Sequence, residues 1–215
     1  MKKILALSFA MIFGFITISN AQVDDKKSRD ILNKVSAKAK DYKNMQFDFT
    51  YRMVDKSHDI DESLKGTVVL EGDKYKLSFM GRTVISDAKT VWSYDPDAEE
   101  IQISNVSKDA DAFNPGKLLT SYDESYRSKF IKTAKENGKE FYIIDLYPKK
   151  GKSFFKIRLK IDKAALQIVS GTVYGKDNVT YTYSIDKFKH DISTAEGFYT
   201  MSVKDYPDAD VVDLR

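Results

Sequence analysis

Met45-Gln46-Phe47-Asp48-Phe49-Thr50-Tyr51-Arg52-Met53 is the stretch that decides the fold. Large apolar side chains occupy every second position, and polar or charged ones fill the gaps. A period of two sends all the apolar groups to one side of an extended chain, whereas a helix would scatter them around its axis. The segment is therefore a β-strand with one dry and one wet face.

The same rhythm continues toward the C-terminus. His58 to Leu64 reads as a polar turn region, Gly66 to Leu70 as a short strand and Glu71-Gly72-Asp73-Lys74 as a turn. Tyr75, Leu77 and Phe79 alternate with Lys76 and Ser78. Thr83 to Ser86, Val91 to Tyr94 and the Ile101/Ile103 pair follow, separated by turns around Gly81 and Asp95-Pro96-Asp97. After a break, strands are expected at Phe141 to Tyr147, Phe154 to Ile161, Leu166 to Tyr174, Val179 to Ile185 and Phe198 to Val203. About ten or eleven one-sided strands in series imply an antiparallel sheet, which will curl rather than lie flat.

Two segments depart from the period of two. Lys26 to Lys40 places Ile31, Leu32, Val35 and Ala39 on one stripe, so it reads as a helix capped by Asp24 or Asp25. Asn105 to Lys129 carries Pro115-Gly116 and then Leu118, Leu119, Tyr122 and Tyr126 at spacings of three and four, which reads as short helices. The fold class is thus mainly β with helices (α+β). Two helical segments are too few to cover so many strands, so a partly covered apolar groove is expected.

The N-terminus reads as a leader. Lys2 and Lys3 precede an apolar run from Ile4 to Ile18, and Ser19-Asn20-Ala21 supplies the small residues of a cleavage site. This is the pattern of a signal peptide covering residues 1–21, followed by one domain over residues 22–215. Export to the bacterial periplasm is the expectation. Removing Lys2 and Lys3 lowers the formal net charge from +3 to +1. Such a balance does not favour nucleic acid as a partner.

Composition removes several chemistries. The chain has no Cys, which excludes disulfides, thiolate metal sites and a Cys nucleophile. Of the two His, His58 falls in a polar turn and His190 in a late loop, and neither has the helical partner of a metal pair. No phosphate-binding glycine loop and no G-x-S-x-G occur. Ser153-Phe154-Phe155-Lys156 matches S-x-x-K, but an offset of three on a strand puts the two side chains on opposite faces. The acidic turns at Asp95–Glu99 and Asp205–Asp210 lack the spacing of a calcium loop. No catalytic residue, cofactor or metal is expected. What remains is an excess of large apolar side chains on strand faces, which suits either an ordinary core or a cavity for a lipid-like ligand.

One run carries a more specific signal. Ser86-Asp87-x-Lys89-Thr90-x-Trp92-x-Tyr94-x-Pro96 resembles the outer-membrane lipoprotein carrier protein family (LolA-like). The order of the other segments agrees: the opening helix with Ile31-Leu32-Asn33-Lys34-Val35-Ser36, then Phe47-x-Phe49-Thr50, Gly66, Tyr75-Lys76-Leu77, the mid-chain Leu118-Leu119 and a C-terminal Val211-Val212-Asp213-Leu214-Arg215. The resemblance implies an unclosed β half-barrel with a helical lid. It implies a non-enzymatic, monomeric carrier of lipoprotein acyl chains from the inner to the outer membrane. The partners it implies are lipoproteins, a lipoprotein-releasing ABC transporter of the inner membrane and an outer-membrane acceptor. A lipid- or lipoprotein-sensing regulatory module on the same fold is the alternative, and a secreted hydrolase a third. The matching groove residues are Phe47, Phe49, Tyr51, Met53, Tyr75, Leu77, Phe79 and Val84, with Leu118 and Leu119 from the lid. Members of the family carry a lid-binding Arg just before the strand of Tyr75. Here Glu71-Gly72-Asp73-Lys74 occupies that stretch, leaving Lys74 or Arg82 as candidate substitutes.

Overall fold

The computed structural model describes residues 25–107 and 125–215. One helix, α1 (Lys26–Asp41), precedes the strands β1 (Met45–Asp55), β2 (Ile60–Glu71), β3 (Lys74–Phe79), β4 (Arg82–Ser86), β5 (Thr90–Asp95) and β6 (Glu100–Asn105). The second run contains β7 (Tyr126–Glu136), β8 (Lys139–Pro148), β9 (Phe154–Asp162), β10 (Gln167–Gly175), β11 (Val179–His190), a single 3-10 turn (Val203–Asp205) and β12 (Asp210–Asp213). All twelve strands form one sheet in the order β12-β6-β5-β4-β3-β2-β1-β11-β10-β9-β8-β7. The two end strands do not pair, so the sheet is unclosed, as an open half-barrel requires.

The chain order explains the topology. Two meanders, β1 to β6 and β7 to β11, are each built of hairpins, and they are joined where β1 pairs with β11 over its whole length. Register at this seam places Phe47 beside Phe188, Phe49 beside Ile185, and Tyr51 beside Tyr183. The side chains of these residues share the face on which α1 lies, called here the inner face.

Asp25 starts α1. One carboxylate oxygen accepts the Ser28 N–H at 2.6 Å, the usual N-cap bond, and the other accepts the Phe130 N–H of β7 at 2.6 Å. The helix is thereby tied to the sheet edge. Ser28 is buried and its Oγ lies 2.7 Å from Ser128 Oγ. Ile31, Leu32 and Val35 then pack on Ile144 and Leu146 of β8 and on Ile157, Leu159 and Ile161 of β9. Each such fully buried side chain contributes about 1.5–3 kcal/mol relative to exposure. Farther along the helix, Ala39 and the following Tyr42 pack against Met45, Phe47, Val68 and Leu70.

A second cluster sits on the outer face. Ile85, Ile101 and Ile103 are buried there with Met201, and Trp92, Tyr94, Val203, Tyr206 and Ala209 pack around them. Cross-strand pairing of Ile85 with Trp92, and of Trp92 with Ile103, puts these residues opposite the helix side. The C-terminal segment thus covers the back of β4 to β6. Trp92 and Tyr94 serve that packing.

Several expectations are corrected. The polar turn at His58 to Leu64 shrinks to residues 56–59, because β2 begins at Ile60. In the early part of β2, Glu62 interrupts the apolar face between Ile60 and Leu64, so the alternation is broken; pairing with β1 and the Arg52–Asp61 ion pair hold it extended. Phe198 to Val203 is not a strand. Tyr199 and Met201 do bury at a spacing of two, but the segment crosses a sheet face rather than an edge, and turns close it, with Phe198 N–H donating to Ala195 O and Thr200 N–H to Gly197 O. Tyr126 to Lys129 is strand, not helix, and β12 is an additional strand. The β12 ladder runs parallel to β6, the exception in an otherwise antiparallel sheet. The described residues hold twelve strands, against the ten or eleven expected. The rest of the expected central helical stretch, residues 108–124, and the expected leader, residues 1–21, lie outside the described residues.

Candidate functional site: an aromatic inner face

The helix does not treat the inner face evenly. At the Met45 end of β1, Phe47 is 7% exposed, closed in beneath Ala39 and Tyr42. Farther along the same strand, Phe49, Tyr51 and Met53 are half-buried. Their neighbours across the ladders are Gly66, Leu64 and Glu62 on β2, with Phe79 of β3 beyond Gly66, and Ile185, Tyr183 and Tyr181 on β11. Leu64 and Tyr183 remain 37% and 39% exposed.

These side chains form a continuous aromatic surface. The Tyr51 ring lies 5.5 Å from Phe79, 5.3 Å from Tyr183 and 6.2 Å from Tyr181, centroid to centroid. Phe49 lies 5.5 Å from Phe79. Such separations are those of favourable ring contacts. Gly66 makes the arrangement possible: a Cβ there would come within 2.5 Å of Phe49 Cζ and 2.9 Å of a Phe79 ring carbon. A glycine in mid-strand lets two large rings close over the backbone.

The face is apolar but not purely so. Burial pushes the Tyr183 phenol above its ordinary pKa, helped by Tyr51 and Tyr181, and burial likewise raises Tyr51 and Tyr75. All three phenols therefore stay neutral at ordinary pH. A cleft of about 240 Å³ continues from Tyr181 and Tyr183 past Val173, Gly175 and Asp177 to Ser153 and Phe154. Beneath the C-terminal half of α1 the space is nearly filled, leaving about 40 Å³ among Val35, Ala39, Phe47, Ile168, Ile185 and Phe188. The helix half of the inner face is a packed core, and the half around Phe49, Tyr51 and Phe79 is open apolar surface.

The expected groove residues divide accordingly. Phe47 lies in the packed core. Phe49, Tyr51, Met53, Tyr75, Leu77, Phe79 and Val84 are half-buried on the inner face of β1, β3 and β4, brought together across β2 by the Leu77–Val84 and Gly66–Phe79 pairings, with Phe49, Tyr75 and Leu77 also packing against the cluster that holds Phe47. Leu118 and Leu119 lie outside the described residues. Tyr181, Tyr183, Leu64 and Phe154 were not anticipated as groove residues. The alternation of Val179, Tyr181, Tyr183 and Ile185 was visible, but their neighbourhood depends on the β1–β11 seam, which no local pattern announces. The candidate substitutes for the lid-binding Arg already have partners: Lys74 lies 3.4 Å from Glu71, and Arg82 pairs with Asp95.

Polar clusters elsewhere have structural explanations. His58 pairs with Asp55 at 2.6 Å, holding the Asp55 carboxyl below the ordinary range, and His190 stacks on Tyr42 while reaching Asp191. Lys156 of the S-x-x-K match is directed to Asp145, at 3.5 Å, and to the Tyr174 ring. Among the described residues no three His, Cys, Asp or Glu side chains gather as a metal site.

Comparison with known proteins agrees with this architecture. No curated protein matches the sequence. A conserved protein of Thermus thermophilus superposes with a TM-score of 0.61 at 14% identity, covering 87% of this chain and 99% of its own. A DUF1329 family protein from Desulfovibrio piger gives a TM-score of 0.50 at 12% identity, covering 85% and 98%. A putative outer membrane lipoprotein-sorting protein domain from Vibrio parahaemolyticus gives 0.48 at 13% identity, covering 81% and 96%. The family model described as outer membrane lipoprotein carrier protein LolA matches residues 40–202, which run from the end of α1 through β1 to β11 and into the outer-face covering segment. The chain belongs to the LolA family.

Proposed function

We propose that this protein is an exported carrier that shelters lipoprotein acyl chains on the inner face of its half-barrel and moves them across the periplasm from the inner to the outer membrane, without catalysis. The observation that carries the proposal is the half-buried aromatic surface of Phe49, Tyr51, Phe79 and Tyr183, which a monomeric domain would otherwise have reason to bury. Each acyl methylene transferred from water to an apolar surface gains about 0.8 kcal/mol. A multiply acylated lipoprotein is therefore insoluble by tens of kcal/mol unless its chains are covered. An open surface of rings suits transport better than an enclosed pocket, since it covers the chains in part and leaves them able to depart. The leader-like sequence of residues 1–21 supports export, and membership of the LolA family supports lipoproteins as the cargo and an inner-membrane transporter as the donor.

The test is site-directed photo-crosslinking from Tyr51 or Phe79 in living cells, followed by mass spectrometry. Acylated lipoproteins on the crosslinked protein, and mislocalised lipoproteins after its depletion, are the expected results. Stable capture of a membrane regulator, with lipoprotein location unchanged by depletion, would favour a sensing module instead.

A further inference from the structure

The formal charge is distributed very unevenly. Residues 126–163, which form β7 to β9 and their turns, carry twelve Lys and Arg against four Asp and Glu, a surplus of eight in a chain whose total is +3. The rest of the chain is therefore net negative. On the outer face of this part of the sheet, Arg127, Lys129 and Lys132 project from the edge strand β7 and are exposed. Lys156 and Arg158 alternate along β9 around the buried Asp145, which Arg158 holds through bonds of 2.7 and 2.8 Å.

The β8–β9 turn continues this charge beyond the sheet. It contains Lys149, Lys150 and Lys152, and just past it Phe155 is 51% exposed, its ring 6.1 Å from Tyr174. The turn is pinned on both sides: Lys149 N–H donates to Ser125 O at 2.9 Å, and Lys176 N–H to Ser153 O at 3.0 Å. An exposed aromatic ring on a firmly held, lysine-rich tip is the composition that seats at a lipid–water boundary, where the ring enters the interface and the cations meet headgroups. The position adds a reason. Ser153 and Phe154 line the same cleft as Tyr181 and Tyr183, so the tip stands at the mouth of the aromatic face.

We infer that the β8–β9 tip, with Lys150 and Phe155 at its centre and the β7 and β9 cations behind it, docks this protein onto an anionic membrane surface. Docked this way, the open end of the inner face meets the lipid rather than bulk water. The inference goes beyond acyl binding, and its test keeps the two apart.

Co-sedimentation of the purified protein with vesicles provides the test. One set is phosphatidylcholine alone, and the other contains about a third phosphatidylglycerol. Binding to the anionic set, falling steeply between about 0.1 and 0.5 M NaCl, is expected. The Lys150→Glu/Phe155→Ser variant should lose at least roughly tenfold in partitioning, consistent with the removal of one ring contact and the reversal of one charge. It should still take up a soluble fluorescent fatty acid as the native chain does. Phe155→Trp should add blue-shifted emission on anionic vesicles relative to the unsubstituted protein. Equal binding to both vesicle sets, or unchanged partitioning of the double variant, would overturn the inference. So would binding to a soluble polyanion with no vesicle binding, which would point to an acidic protein partner.

Discussion

Gly66 and the ring of Phe49 occupy complementary space on adjacent strands: the ring lies where a Cβ on residue 66 would sit, 2.5 Å from its position. That relation joins the backbone of β2 to the aromatic face.

Gly66→Ala should therefore displace Phe49 and Phe79 together. Because the obstruction is a pair of packed rings, the cost is that of overpacking, about 1–3 kcal/mol. Denaturant unfolding should report the loss, and uptake of a fluorescent acyl probe should change in parallel because the rings have moved. An Ala variant of native stability would mean that the rings rotate away freely.

Phe79→Glu and Phe47→Ala should separate binding from folding. Phe79 is half-buried at the open end, and a carboxylate there can stay hydrated in the free protein but would be desolvated against an acyl chain. We expect at least a tenfold loss of probe affinity, on the order of 1.4 kcal/mol or more, with the melting transition retained. Phe47 lies under α1, so its truncation should cost about 3–5 kcal/mol of stability. The reverse pattern in binding and stability assays would place the groove elsewhere.

Asp25 predicts an acid sensitivity. Burial raises the pKa of its carboxyl, but the hydrogen bonds from Ser28 and Phe130 outweigh that effect and hold it below the ordinary value. A depressed carboxylate contributes stability that is complete above its unfolded pKa, near 4, and is lost as pH falls through the lower folded value. Asp25→Ala should cost about 1–2 kcal/mol at neutral pH, and the difference from the native chain should shrink on acidification. Unfolding curves at pH 7 and pH 3 would check both signs.

Tyr199 predicts the opposite limb. Its hydroxyl is buried with no hydrogen-bond partner among the described residues, and burial together with Glu71 pushes its pKa up to about 12. A raised phenol favours the fold below the unfolded value near 10, and that contribution declines as pH rises toward 12. Tyr199→Phe removes an unsatisfied polar atom and should be neutral or stabilising by about 1 kcal/mol. It should also weaken the alkaline loss of stability, as thermal melts at pH 8 and pH 11 would reveal. Marked destabilisation at pH 8 would imply that the hydroxyl has a partner.

What was legible in the sequence was local. Ile31, Leu32 and Val35 announce a helix by their spacing, and Phe47 to Met53 announce a strand, because each period is a property of consecutive residues. The Asp87-to-Pro96 run pointed to the family, although its Trp92 and Tyr94 pack beneath the C-terminal segment and away from the groove side. The edge strand β7 was missed because Tyr126 completes a helical spacing with residues before it. β12 was missed because four residues paired in parallel with β6 carry no pattern of their own.

The sequence by itself determined which side chains share a strand face, since alternation follows from extended backbone geometry alone. Only the tertiary structure decided which part of that face is core and which is open. Phe47 and Phe49 are two residues apart, on one strand and one face. Yet one is sealed by Ala39 and Tyr42 and the other looks onto Tyr183, because α1 ends over the first and the β1–β11 seam brings a tyrosine to the second. Coverage depends on where distant elements stop, and that is a property of the assembled fold.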